Sequence, residues 1–148
     1  MPEKKTLERA AEDKAEGKSP STQAGEFVHE EIEHIREGKH GARSAKQAIA
    51  IGLSKARRAG VKLPPPRKGE ASKQTREQAR RDVKKGKKAA RKKPSAKRSR
   101  ATLNALKREG HSAASKTALS RHARKAAAKR SAASRSRSAR KAAATRKK

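Results

Sequence analysis

GARSAKQAIAIGLSKARRAG, residues 41–60, gathers Ile49, Ile51 and Leu53 within five positions of a chain in which 39% of residues are charged. Ser44 and Gln47 have the S-x-x-Q spacing of a capping box, and Gly60 stands where a helix ends in a left-handed residue. The spacing predicts a helix over 45–59. At about 100° per residue, Ala45, Ala48, Ile49, Gly52, Leu53, Ala56 and Ala59 share one side of it. Lys46, Gln47, Ser54, Arg57 and Arg58 share the other. A glycine inside a helix costs roughly 1 kcal/mol, so Gly52, near the middle of the apolar side, predicts close approach by a second helix.

That second helix is read upstream, in GEFVHEEIEHIRE, residues 25–37. Phe27, Val28, Ile32 and Ile35 fall on one side and Glu26, Glu30, Glu33 and Glu37 on the other, and Gly38 supplies the stop. The two segments predict a helical hairpin over 25–60, acidic on its first helix and basic on its second.

The hairpin holds most of the material for a core. The chain has 148 residues, and 30 of its apolar ones are alanine. Only 14 are Leu, Ile, Val or Phe. That is about 9%, below the roughly 20% under which a highly charged chain is expected to stay disordered. The expected fold class is therefore all-α: a small helical hairpin with long, largely disordered Lys/Arg/Ala-rich regions. Residues 1–24 read as a mobile polar arm and 61–66 (VKLPPP) as a stiff polyproline spacer. Residues 67–130 read as basic and weakly helical, with a capping pattern at Thr75–Gln78. Ser95–Glu109 and Ser112–Arg130 suggest a second, weaker hairpin around Leu103, Leu106 and Leu119. Residues 131–148 read as a low-complexity basic tail. Dimerisation through residues 25–60, or docking on a polyanion, is expected to complete so small a core.

Charge points to the partner. The formal net charge is +30, yet residues 1–37 carry ten acids against six bases. The remaining chain is intensely basic, and no acid follows Glu109. Self-repulsion on this scale favours a polyanionic partner, most simply nucleic acid. The start of the second helix, with Arg43, Ser44, Lys46 and free backbone amides, suits a phosphate. Lys55, Arg57 and Arg58 extend that basic side. The tract KKGKKAARKK supplies Lys84, Lys85, Lys87, Lys88, Arg91, Lys92 and Lys93. Arg98, Arg100, Lys107 and Arg108 follow, then Lys116, Arg121, Arg124, Lys125, Lys129 and Arg130. Phe27 is the one aromatic residue. Single strands are gripped largely by stacking on aromatic rings, so contact with duplex phosphates is the expected mode, and it carries little sequence preference.

Other chemistries find no foothold. Cysteine is absent, which excludes disulfides and thiolate sites. HEEIEH, residues 29–34, is one residue too long for a zinc-protease motif, because helical positions i and i+5 point about 140° apart. No metal site, cofactor or catalytic residue is predicted, and an enzyme is not expected. The N-terminus is charged from its third residue, unlike a secretory leader. The apolar run AIAIGL is too short to span a bilayer, so no membrane partner is expected.

KQAIAIGLSKARRAG (46–60), preceded by GKHGARSA (38–45), resembles a group of small basic bacterial proteins in a domain family of unknown function. Members of that group are often automatically labelled plasmid stabilisation or DNA-binding proteins. RSRATLNALKREG and SKTALSRHARKAAAKR resemble the downstream part of such proteins, and the tail is similar in composition to linker-histone tails. The resemblance implies bacterial cytoplasm and association with DNA, and supplies no catalytic residue. The function expected is sequence-independent, histone-like DNA binding in the bacterial nucleoid. The rivals are an RNA-binding or ribosome-associated protein, and a helical hairpin serving as a protein-interaction module.

Overall fold

The computed structural model describes residues 1–87 and 95–146, which are all-α with no strand among them. The helices are α1 (Lys4–Ala15), α2 (Pro20–Arg36), α3 (Ala45–Ala59), α4 (Lys73–Lys87), α5 (Ala96–Lys107), α6 (Lys116–Ala128) and α7 (Ala132–Arg146). A single 3-10 turn, Ser112–Ala114, precedes α6.

The centre is the antiparallel pair α2–α3. Ser44 Oγ accepts from Gln47 N at 3.2 Å, Gln47 Oε1 accepts from Arg43 N at 2.8 Å, and Gly60 closes α3 at φ +100°. α2 begins five residues earlier than its apolar pattern suggests. Ser19 caps it and Pro20 occupies its first turn, a start signal that needs no apolar residue. The seam is built from large residues on α2 set against small ones on α3. Phe27, Ile32 and Ile35 are buried on one side, and Ala45, Ala48, Gly52 and Ala56 on the other. A Cβ on Gly52 would lie 2.7 Å from Val28 Cα and 2.9 Å from Phe27 O, so the backbones meet there. Ile49, Ile51 and Leu53 flank this seam and are half-buried.

The core extends past the hairpin in both directions. Phe27, Ala24 and Ala56 cluster with Ala10 of α1, and Val61 and Leu63 pack against them. Ile32, Ile35, Ala42 and Ala48 cluster with Ala113 and Ala114, with Leu119 against them. The 3-10 turn thus plugs the open end of the hairpin, and Arg36 Nε donates to Ala114 O at 3.0 Å. The α2–α3 loop is held from the same side: Gly41 N donates to Leu106 O at 2.9 Å and Ala42 N to Gly110 O at 3.0 Å.

α4 lies along α3. A Cβ on Gly86 would stand 2.1 Å from Arg57 O, so only glycine allows this contact. Ala79 and Asp82 are the residues α4 buries.

The expectation of long disordered regions is overturned. Residues 67–87 and 95–146 hold α4–α7, and residues 1–24 hold α1 docked on α2 in place of a mobile arm. The physical reason is twofold. Alanine, lysine and arginine are strong helix formers that satisfy their backbone locally, and small residues scattered outside the hairpin (Ala10, Ala79, Ala113, Ala114) are enough to anchor it. The 61–66 segment also folds back onto the core instead of holding the arm away from it. No helix among the described residues is long and apolar enough to cross a membrane.

Candidate nucleic-acid interface

The cations singled out on α3 divide into two groups. Arg43 and Lys46 are exposed at its N-terminal end, where Arg43 Nη2 lies 3.3 Å from Glu109 Oε1, and the Ser44 hydroxyl is engaged as the cap. Further along, the helix faces its own fold. Arg57 is 8% exposed and donates to Leu63 O and Pro64 O, which pins the proline segment beside the end of α3. Burial holds its guanidinium pKa below the ordinary value, against the opposing charge of Asp82. Arg58 Nε donates to Asp82 Oδ1 at 2.7 Å, and Lys55 Nζ lies 2.6 Å from Glu31 Oε2 and 3.2 Å from Glu30 Oε1. The basic side of α3 read from the sequence is therefore in large part an internal contact surface.

The other predicted cations face outward. Lys84, Lys85 and Lys87 are exposed at the end of α4; Lys88, Arg91, Lys92 and Lys93 lie outside the described residues. Arg98, Arg100 and Lys107 on α5 are exposed, as is Arg108 beyond its end. On α6, Lys116, Ser120 and Arg124 form one i, i+4 row, with Thr117, Arg121 and Lys125 in the next. These two rows line one shallow groove, with four cations and two hydroxyls on a single face. Lys129 and Arg130 are exposed after it, and Arg130 donates to Ser134 O at 3.1 Å and to the Ser138 hydroxyl. Arg135, Arg137, Arg140 and Lys141 on α7, read from the sequence only as low-complexity tail, are exposed on a helix.

A separate cluster of buried charge sits where α1, α2 and the α2–α3 loop meet. Glu31 is 0% exposed, and neither of its carboxylate oxygens has a hydrogen-bond partner. His40 Nε2 stands 3.3 Å from Glu31 Oε1, opposite the Lys55 ammonium on Oε2. Glu30 beside it is 4% exposed; it accepts the Glu3 backbone N–H at 3.0 Å. Burial raises its pKa, but the Thr6 hydroxyl, that N–H and Lys55 outweigh this and hold it below the ordinary value. His34 Nε2 lies 2.8 Å from Glu3 Oε1. One donor atom each from Glu31, His34 and His40 falls within 4.8 Å of the others. The spacing of His29 and His34 drew attention away from this group. Its signal in the sequence was Glu31–His34 at i, i+3, and its third member arrives only when the loop turns back after Gly38.

Residues 14–68 match a family described as "Family of unknown function (DUF6496)". The matched segment runs from the end of α1 through α2 and α3 to the proline segment; it contains Glu31, His34 and His40 and excludes α4–α7. Neither the curated proteins nor the solved structures yield a match to the chain.

Proposed function

We propose that the protein binds double-stranded DNA through its phosphates, without sequence preference, as a histone-like component of the bacterial nucleoid. One observation carries the reading. Between Ser95 and Arg146 there are 16 lysines and arginines and one acid, Glu109, and that acid is engaged by Arg43. The acids of the chain are concentrated on α1 and α2 and in internal pairs, so the α5–α7 surface has a single sign. Such a surface gains affinity by releasing the counterions condensed on a polyanion. Phe27, the sole aromatic side chain, is 1% exposed in the core, which leaves no ring for base stacking and favours duplex over single strand.

The test is a salt series on the purified chain with two duplexes of unrelated sequence, each challenged by structured RNA. The expected result is equal affinity for both duplexes, a steep loss with salt and weak competition by RNA. RNA displacing either duplex at lower concentration than DNA itself would move the reading to an RNA-binding protein. Salt-insensitive binding would remove the phosphate mechanism.

A further inference from the structure

We propose that Glu31, His34 and His40 form a site for a divalent transition-metal cation, with zinc the best match. The first argument is the unanswered carboxylate. Glu31 is fully buried and its oxygens lack hydrogen-bond partners, whereas buried charges are ordinarily paired and hydrogen-bonded or bound to metal. Lys55 lies on the Oε2 side, so Oε1 is the oxygen turned toward the histidines.

The second argument is the tautomer of His40. Its Nδ1 lies 3.1 Å from Gly41 O, and a carbonyl only accepts, so Nδ1 carries the proton. In the neutral ring Nε2 then turns a lone pair toward Glu31 Oε1 across 3.3 Å. Two facing lone pairs repel unless a cation lies between them. A ring whose second nitrogen donates to a backbone carbonyl has the usual arrangement of a metal-binding histidine. His34 is held similarly from behind, by the Glu3 carboxylate at its Nε2.

Geometry and donor type agree. Ligands about 2.0–2.1 Å from a tetrahedral zinc stand roughly 3.3–3.4 Å apart, the spacing already present between Glu31 and His40. The third donor is within 4.8 Å, and α2 presents it on the same face as Glu31 at i, i+3. Two imidazoles and one carboxylate suit zinc or its neighbours, while calcium and magnesium prefer oxygen donors throughout. Bound there, the ion ties the α2–α3 loop to α2 and, through Glu3, to the start of α1.

The experiment titrates the full-length, nucleic-acid-free chain with zinc chloride by calorimetry and follows the histidine ring nitrogens by NMR. One equivalent is expected to bind and raise the melting midpoint, with shifts at His34 and His40 and none at His29, His111 or His122. His40→Gln is expected to weaken binding at least tenfold, and His29→Gln to leave it unchanged. Because Glu31→Gln alters the core, cobalt titration of the unaltered chain gives a second reading: visible absorption bands of a low-symmetry nitrogen–oxygen site. Shifts confined to His111 and His122, affinity untouched by His40→Gln, or no bands with cobalt would each overturn the proposal, leaving Glu31 and His40 as an ordinary ion pair.

Discussion

Arg58 Nε donates to Asp82 Oδ1 across 2.7 Å, and the acid that receives it is 1% exposed. Ser54 Oγ reaches Asp82 Oδ2 at 2.7 Å and Gln78 Nε2 reaches Oδ1 at 3.1 Å, so α3 and α4 are joined around one buried carboxylate. A residue that reads as a phosphate contact is thereby part of the scaffold. Arg58→Ala is expected to cost about 2 kcal/mol, because it strips a cation from a buried acid that keeps two other donors. Urea denaturation measures it. Loss of DNA affinity with unchanged stability would instead return Arg58 to the interface.

Two glycines in the hairpin have opposite futures. Gly52→Ala is expected to destabilise by about 1–3 kcal/mol, despite the better helix propensity, since its Cβ would meet Val28 Cα at 2.7 Å. Gly25, inside α2, has nothing within 4 Å of its Cβ position. Gly25→Ala is therefore expected to stabilise by about 0.5–1 kcal/mol. Thermal melting of both variants decides; a Gly52→Ala chain more stable than the parent would deny the close seam.

The plug formed by the 3-10 turn is testable with one charge. Ala114 is 0% exposed against Ile32 and Ile35. Ala114→Asp is expected to cost roughly 3 kcal/mol or more, since it buries an unpaired carboxylate. Ala132→Asp, on the exposed start of α7, is expected to stay within about 0.5 kcal/mol. Equal melting points for the two variants would show that the turn does not close the core.

Binding and stability separate further along the chain. Ending the protein at Arg130 removes seven lysines and arginines and none of the residues in the core clusters. Each phosphate contact contributes about −0.9 to the slope of log K against log salt on B-form DNA. The truncation is expected to flatten that slope by several units and leave the urea midpoint unchanged.

The α6 face supplies an independent measure. Changing Lys116, Arg121, Arg124 and Lys125 together to Gln is expected to flatten the same slope by roughly three to four units. A full-length slope from this variant would take α6 off the DNA.

The helix over 45–59 was legible because caps act locally: a serine hydroxyl at its start and a glycine at its end define it without reference to anything distant. The same local logic, Ser19 with Pro20, marks the start of α2, but it was missed by following apolar periodicity alone. Gly52 was readable as a point of close approach, since a glycine amid helix formers needs a reason. The apparent shortage of core was misleading. Large apolar residues were counted, while alanines do much of the burying here, and a buried alanine looks no different in sequence from the exposed ones of α6 and α7.

By itself the sequence determined the all-α class, the hairpin at its centre and the one-signed charge of everything after it, because propensity, capping and net charge are properties of short stretches and of sums. Only the tertiary structure decided which cations are turned inward. Lys55, Arg57 and Arg58 stand within four residues of one another, and each is claimed by a different distant group: the Glu30–Glu31 pair, the Leu63 and Pro64 carbonyls, and Asp82. The meeting of Glu31, His34 and His40 was decided in the same way. Whether a charge is solvated or paired depends on what folds against it, and residues 25 or more apart in the chain, as Lys55 and Glu30 are, come together only when the helices pack.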